Sequence, residues 1–210
     1  MTNSRRDFIK KTSAGTAGMV IAGMGMTAKS YGNILGANDK ARVGIIGFSN
    51  RARGSLIPAF LSQAAETNME IVAVSDIWNR RRDEAKTYFD EKGIKVKLAR
   101  NNEELYDKKQ TDAVIISTAD FQHSLHLAQA IEAGQDVYVE KPFAESMPDA
   151  RKALKAAESS GKVVQVGSQR RSGNNYHAAN KYIKSGKFGK ITIVEMSWNV
   201  NQPGRWRRPD

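Results

Sequence analysis

The stretch Val43-Gly44-Ile45-Ile46-Gly47-Phe48-Ser49-Asn50-Arg51-Ala52 decides the fold of this protein. It begins with a short apolar run that ends at a glycine, which is typical of a buried strand. Helical spacing follows from Ser55 to Ala65. A glycine-bearing turn between a strand and a helix is the place where a dinucleotide-binding loop is found.

The loop departs from the ideal pattern G-x-G-x-x-G/A at one position. Gly47 supplies the tight turn, and Ala52 is small enough for close packing of helix on strand. Ser49 replaces the glycine that lets the backbone approach a pyrophosphate, although its hydroxyl can donate to a phosphate. Taken alone, the loop is either a dinucleotide site or a plain strand-to-helix turn.

Strands and helices alternate through the following 120 or so residues. Short apolar strands separated by helices predict a parallel sheet covered on both faces, which is the doubly wound α/β (Rossmann) fold. The predicted strands are Glu70–Val74, Val96–Ala99, Ala113–Ile116, Val137–Val139 and Val163–Val166, and the predicted helices are Asn79–Glu91, Leu125–Ala133 closed by Gly134, and Pro148–Ser160 closed by Gly161.

The pattern changes after Gly167. A helix is predicted over Asn174–Lys184 and a long, partly alternating strand over Ile191–Val200. A strand of that length indicates the first element of an antiparallel sheet in a second, α+β domain. We therefore expect a leader and flexible lead over residues 1–40, a Rossmann domain over 41–168, and the incomplete start of a second, C-terminal domain over 169–210.

The formal charge of +11 is concentrated at the two ends of the chain. Residues 41–169 hold eighteen basic and eighteen acidic side chains, whereas residues 170–210 hold nine basic and two acidic ones. A neutral central domain without a reading motif argues against nucleic-acid binding. The absence of cysteine excludes disulfides, thiolate metal sites and a thiol nucleophile.

The N-terminus reads Ser4-Arg5-Arg6-Asp7-Phe8-Ile9-Lys10-Lys11 and continues into the uncharged run Ala14–Ala28. A twin-arginine pair ahead of a mildly apolar run resembles a bacterial Tat export signal. We therefore expect the Tat machinery as a partner and a periplasmic protein. The run is too short and too rich in glycine to leave a stable membrane span after processing.

Asp76 lies at the end of the second predicted strand, where a carboxylate can accept the ribose hydroxyls of NAD. The alternative is an aspartate that caps the next helix. Arg80, Arg81 and Arg82 follow closely, and one of them can neutralise a 2′-phosphate. The interpretation of Asp76 as a ribose ligand favours NAD as the cofactor, and the nearby arginines leave NADP open.

Two later stretches carry the resemblance to a family. They read Ile116-Ser117-Thr118-Ala119-Asp120-Phe121-Gln122-His123 and Ala133-Gly134-Gln135-Asp136-Val137-Tyr138-Val139-Glu140-Lys141-Pro142. The sequence resembles the Gfo/Idh/MocA (glucose–fructose oxidoreductase/inositol dehydrogenase) family in these stretches and in Gly167–Arg171, Ser185–Lys190 and Arg205–Pro209. The resemblance covers residues 41–210, with Ser49 and Ala119 as departures from the family pattern.

The resemblance implies an NAD(P)-dependent oxidoreductase that acts on a secondary alcohol of a sugar or polyol. It places the pyrophosphate at the Asn50/Arg51 backbone, the adenosine ribose at Asp76, and the nicotinamide ribose and reacting hydroxyl at Glu140 and Lys141. The implied cofactor-binding residues are Gly47, Phe48, Ser49, Asn50, Arg51, Asp76, Thr118, Asp120, Phe121, His123, Glu140, Lys141, Gln169 and Arg170.

Lys141 is the predicted catalytic residue. Oxidation of an alcohol requires that the hydroxyl proton be removed, and a lysine does this only if its pKa falls toward neutrality through burial or a nearby cation. Lys141 follows a buried strand at the carboxyl end of the sheet, where such folds bind ligands. The alternative is a solvated surface charge.

Metal binding is not expected. His123 and His126 have a spacing that can hold a metal, but no further His, Cys or paired carboxylate accompanies them, so His126 is interpreted as structural.

We expect a homo-oligomer in the full-length protein. The family resemblance also places an Asp and a His that assist the lysine just beyond residue 210, so the chain is expected to be truncated.

Three functions remain open at this point. The first is a sugar or polyol dehydrogenase, and the second is a glycosidase that oxidises its substrate transiently and keeps its nicotinamide. The third is a non-catalytic nucleotide- or sugar-binding protein.

Overall fold

The computed structural model describes residues 40–107 and 110–197 of the chain. The predicted leader, the end of the predicted strand at 198–200 and the Arg205–Pro209 segment lie outside these residues. The strands are β1 (Ala41–Ile46), β2 (Met69–Ser75), β3 (Lys97–Ala99), β4 (Ala113–Ile116), β5 (Asp136–Glu140) and β6 (Val164–Gly167). The helices are α1 (Ile57–Thr67), α2 (Asn79–Asp90), α3 (Asn102–Asp107), α4 (His123–Glu132), α5 (Met147–Ser160) and α6 (Asn174–Lys184), with short turns of π- or 3₁₀-helix at Ala52–Leu56, Asp120–Gln122 and Gln169–Ser172.

The six strands form one parallel sheet in the order β3-β2-β1-β4-β5-β6. This order confirms the predicted doubly wound α/β fold. It reverses between β1 and β4, whose carboxyl ends are joined by a hydrogen bond from the Ser117 N–H to the Ile46 carbonyl at 2.9 Å. Ligands of such sheets bind in the crevice that opens at this reversal.

Two apolar layers cover the sheet, one on each face. Adjacent strand residues point to opposite faces, so that Ile45 packs in one layer and Ile46 in the other. The first layer buries Ile57 of α1 together with Ala85 and Phe89 of α2. The second layer holds residues of α3, α4 and α5, namely Leu105, Leu127, Ala130, Ile131 and Ala153. Burial on both faces explains the nearly uninterrupted apolar runs of the strands.

The helix ends follow the sequence signals closely. Gly134 and Gly161 stand just after α4 and α5 with φ of 81° and 67°, the left-handed conformation that glycine adopts without steric cost. At the start of α5 the Ser146 hydroxyl accepts a hydrogen bond from the Asp149 N–H at 3.3 Å. The ends predicted for these two helices are therefore confirmed.

Two parts of the sequence prediction were incomplete or wrong. Helix α3 was missed because six residues are too few to show a helical period; the signal was Asn101, whose side chain accepts from the Glu104 N–H at 2.8 Å. The strand predicted over Ile191–Val200 is absent from its described part, because residues 191–197 are exposed and a strand needs a hydrogen-bonded neighbour. No helix in the described ranges is long and apolar enough to cross a membrane.

Candidate functional site

Two adjoining clefts open at the carboxyl edge of the sheet. The larger has a volume of about 590 Å³ and lies over the ends of β1, β2 and β4. The smaller has a volume of about 330 Å³ and lies over the ends of β1, β4 and β5. Ser49, Ser117 and Thr118 line both clefts, which therefore share a wall. The larger is also lined by Ile46, Gly47, Phe48, Ser75, Asp76, Ile77, Trp78, Arg81, Asn102, Ala119, Gln122 and His126, and the smaller by Arg51, Asp120, His123, Glu140, Lys141 and Gln169.

Gly47 is required by the geometry of the loop after β1. Its φ is 86°, and a Cβ built there would lie 2.9 Å from Cγ2 of Thr118 and 3.1 Å from the carbonyl oxygen of Ser117. The loop therefore lies against the end of β4 with no space for a side chain.

Ser49 caps the helix that follows the loop. Its hydroxyl oxygen accepts from the Ala52 N–H at 3.1 Å, and its carbonyl accepts from the Arg53 N–H at 3.0 Å. The hydroxyl keeps its own hydrogen, which can be donated to a phosphate. The N–H groups of a helix's first turn have no partner within the helix, so the loop remains suited to an anion despite the lost glycine.

Asp76 clamps two backbone segments together. Its Oδ2 accepts from the Phe48 N–H at 2.9 Å, and its Oδ1 accepts from the Trp78 N–H at 2.9 Å. These bonds tie the end of β2 to the loop after β1. Each carboxylate oxygen retains a further lone pair for a ribose hydroxyl, so the clamp and the predicted ribose contact are compatible.

Two large apolar residues at the cleft were missed by the sequence reasoning. Ile77 and Trp78 line the larger cleft and are 81% and 47% exposed. The Arg80 guanidinium lies 3.8 Å from the centroid of the Trp78 ring. The signal available was an Ile-Trp pair directly after Asp76 at the end of a strand, where exposed apolar side chains provide a flat surface for an aromatic ligand group.

Glu140 and Lys141 differ sharply in environment. Glu140 is 3% exposed, and its Oε1 accepts from Nε and Nη2 of Arg51 at 3.1 and 2.9 Å. Lys141 is exposed, so the burial expected around its amine is not provided by the described residues. The Lys141–Pro142 peptide is cis. The pair thus places a buried, ion-paired carboxylate beside an accessible amine.

His123 joins the loops after β4 and β5. It is 1% exposed, with Nδ1 2.7 Å from the Pro142 carbonyl oxygen and Nε2 3.2 Å from the Thr118 carbonyl oxygen. It therefore supports both loops in addition to lining the smaller cleft. His126 Nδ1 lies 3.2 Å from Oγ1 of Thr118, and burial, followed by the neighbouring His123, lowers its pKa. Within the described ranges no three His, Cys, Asp or Glu residues are grouped to hold a metal.

Some predicted site residues contact other groups. The Phe48 ring is fully buried against Tyr88 and Phe89, so only its backbone faces the cleft. The Asn50 amide oxygen accepts from Arg81 at 3.1 Å, and Asn50 itself lines neither cleft. Two more residues line neither cleft: Phe121, which is 62% exposed, and Arg170, which donates to the Tyr176 hydroxyl at 3.2 Å.

Taken together, the clefts fit a dinucleotide. The turn at Gly47, the capped helix and the carboxylate of Asp76 stand in the order that the phosphate and ribose of such a cofactor require. The volume of the larger cleft is within the range of small-molecule sites.

Residues 41–168 match the model of the family described as "Oxidoreductase family, NAD-binding Rossmann fold" (GFO_IDH_MocA). An inositol 2-dehydrogenase of Salmonella typhimurium is 30% identical over 172 residues, which cover 80% of this chain and 49% of the relative. A scyllo-inositol 2-dehydrogenase (NADP(+)) of Bacillus subtilis is 26% identical over 175 residues, which cover 82% and 46%. The chain thus spans about half the length of the curated relatives it matches.

Solved structures show the same fold. An oxidoreductase from Thermotoga maritima superposes with a TM-score of 0.65 at 26% identity, covering 72% of this chain and 45% of that one. The WlbA dehydrogenase from Bordetella pertussis, solved in complex with NADH and UDP-GlcNAcA, gives a TM-score of 0.64 at 24% identity and covers 73% and 44%.

Proposed function

The chain belongs to the Gfo/Idh/MocA oxidoreductase family, and on that premise we propose that the protein is an exported, NAD(P)-dependent enzyme that oxidises or reduces a secondary alcohol of a sugar or polyol. One observation carries the proposal. Asp76 lines the larger cleft and Lys141 the smaller, and the two clefts share the wall formed by Ser49, Ser117 and Thr118. A ribose-binding carboxylate and a candidate proton acceptor thus lie in two adjoining clefts at the same edge of the sheet.

We assign binding of the dinucleotide to the larger cleft and the loop after β1. Asp76 accepts ribose hydroxyls with the lone pairs that its backbone bonds leave over. The first turn of the helix after Ser49 and the Ser49 hydroxyl hold the phosphates. The exposed Ile77 and Trp78 cover the base.

Proton transfer falls to Lys141. The bound nicotinamide supplies the acceptor for the two electrons and the hydrogen of the alcohol C–H bond. As those electrons leave, Nζ of Lys141 takes the hydroxyl proton, and it returns the proton in the reverse direction. The described residues leave this amine exposed and accessible to a substrate, so the positive charge of a bound nicotinamide, rather than burial, would favour the neutral amine that accepts the proton.

The polyol substrate class is supported by the relatives named as inositol dehydrogenases. Calorimetry of this chain with NAD⁺ and NADP⁺ tests binding. NADH fluorescence of the full-length protein, which includes the expected C-terminal domain, with a panel of inositols and aldoses tests the reaction. We expect binding of a nucleotide and formation of reduced cofactor with at least one polyol. A folded protein that binds neither nucleotide would contradict the proposal, and binding without reduction by any polyol would contradict the substrate class.

Export is the remaining part of the proposal, and its support is the twin-arginine pair ahead of an uncharged run. Replacing Arg5 and Arg6 together by lysine keeps the charge but removes the receptor-read signal. We expect the precursor to accumulate in the cytoplasm, as shown by fractionation. Unchanged accumulation in the periplasm would reject Tat export.

A further inference from the structure

Glu84 of α2 lies within reach of three guanidinium groups. Its Oε2 is 2.7 Å from Nη1 of Arg81 and 3.9 Å from Nη1 of Arg53, and its Oε1 is 3.4 Å from Nε of Arg80. A charge-assisted hydrogen bond has a length of about 2.7–2.9 Å, so the contact with Arg81 is the firm one. The Arg81 side chain is 18% exposed, against 54% for Arg80 and 47% for Arg53.

Arg81 lies in the wall of the larger cleft, as does Asp76. Among the residues described as lining that cleft, Arg81 is the one with a permanent positive charge. Its other terminal nitrogen, Nη2, donates to the Asn50 amide oxygen at 3.1 Å. Both ends of the guanidinium are therefore occupied, one by a carboxylate and one by the loop after β1.

We propose that Glu84 determines the preference between NAD and NADP by holding Arg81, an inference that rests on the proposed binding of a dinucleotide in this cleft. A 2′-phosphate carries close to two negative charges and is recognised by an arginine fork. With Glu84 in place, that phosphate must displace the Glu84 carboxylate from Arg81. The negative charge of the same carboxylate also repels the phosphate. A ribose with a free 2′-hydroxyl meets neither obstacle.

Asp76 does not settle this preference alone. Both of its oxygens accept backbone N–H groups, so part of its charge is already compensated. The two carboxylates have separate effects. Asp76 binds the ribose hydroxyls directly, whereas Glu84 controls whether a cation is free to bind a phosphate at the same place.

The test is calorimetry of the full chain with NAD⁺ and NADP⁺ as probes. Glu84→Gln keeps the shape of the side chain and removes its charge. We expect the Kd for NADP⁺ to fall about tenfold, the effect of one released charge-assisted contact, and the Kd for NAD⁺ to change less than about twofold. The matched control is Asp83→Asn, which removes the same charge from an exposed neighbour on α2 and should change the ratio of the two Kd values less than about twofold.

The second variant is Glu84→Gln combined with Arg81→Met, which should lose the gain in NADP⁺ affinity. An effect of Glu84→Gln no larger than that of Asp83→Asn would overturn the inference, as would a gain that persists without Arg81. If the folded wild-type chain binds neither nucleotide, the proposed function falls together with the inference. Binding with an unchanged ratio in Glu84→Gln overturns the inference alone.

Discussion

The Arg51 guanidinium donates two hydrogen bonds, at 3.1 and 2.9 Å, to a single oxygen of Glu140. The Glu140 side chain is 4% exposed and that of Arg51 is 37% exposed, so a nearly buried carboxylate depends on a half-buried cation. The pair joins the loop after β1 to the residue that precedes Lys141. The part of the site proposed to hold phosphate and the part proposed to move a proton are thereby linked.

Replacing Arg51 by Met should destabilise the domain by roughly 1–3 kcal/mol at pH 8, because Glu140 is left buried without its counter-charge. The range extends down to about 1 kcal/mol because Arg51 is partly exposed, and an ion pair with an exposed partner contributes less to stability. Urea denaturation measures the change. Arg51→Met combined with Glu140→Gln should recover most of the loss, and strictly additive effects of the two substitutions would contradict the pairing.

Replacing Lys141 by Ala in the full-length enzyme should lower the rate of cofactor reduction by roughly 10²- to 10⁴-fold, the usual contribution of a positioned acid–base group. Cofactor affinity should fall far less than the rate, because the adenosine-ribose and phosphate contacts lie elsewhere. Lys141→Arg should restore little, since a guanidinium does not release its proton at working pH. Single-turnover fluorescence across pH measures the rates. A wild-type rate in Lys141→Ala would assign proton transfer to another group.

Replacing Asp76 by Ser should weaken NAD⁺ binding more than NADP⁺ binding, because the carboxylate both accepts ribose hydroxyls and repels a 2′-phosphate. Calorimetry with both nucleotides checks the ratio. Asp76→Asn removes the charge but keeps an oxygen that can accept a backbone N–H, so it separates the charge of Asp76 from its role as a clamp. If Asp76→Ser leaves both affinities unchanged, Asp76 has only a structural role, as an acceptor for backbone N–H groups.

Replacing Gly47 by Ala should lower both stability and NAD⁺ affinity. The φ of 86° is unfavourable for alanine, and its Cβ would lie 2.9 Å from the Thr118 side chain, at a cost of roughly 1–3 kcal/mol. Gly54→Ala is the control, because no atom lies within 4 Å of a Cβ built there. Gly54 sits in a helical turn, where alanine is favoured over glycine. Thermal unfolding should give a lower Tm for Gly47→Ala than for Gly54→Ala. Equal Tm values for the two variants would argue against a close approach at Gly47.

His126 should make the domain less stable below pH 6.5. Burial lowers its pKa from the ordinary 6.5, so the unfolded chain takes up a proton at a pH where the folded chain does not. Stability is therefore full above pH 6.5 and is lost as the pH falls toward the lowered pKa. The urea midpoint should decline more steeply between about pH 7 and 5 in the wild type than in His126→Gln. His177→Gln, on the exposed α6, is the control, and equal slopes in wild type and His126→Gln would contradict the prediction.

The strand and helix pattern and the family motifs were readable from the sequence. Both faces of a parallel sheet are buried, so its strands appear as short apolar runs, and Gly47, Asp76 and Lys141 each directly follow such a run. Strand order places their carboxyl ends along one edge. The spacing of the apolar runs thus predicted the fold, and the family resemblance implied about half of the residues that line the two clefts.

The partners of those residues were decided only by the tertiary structure. Arg51 binds Glu140 across 89 positions of the chain, and Asp76 accepts a bond from Phe48 across 28. His123 reaches carbonyls of two different loops. Local periodicity shows that a residue ends a strand or begins a helix, but it gives no information on the distances between the ends of separate strands. Those distances follow from the order and twist of the assembled sheet, which is set by packing among all its elements.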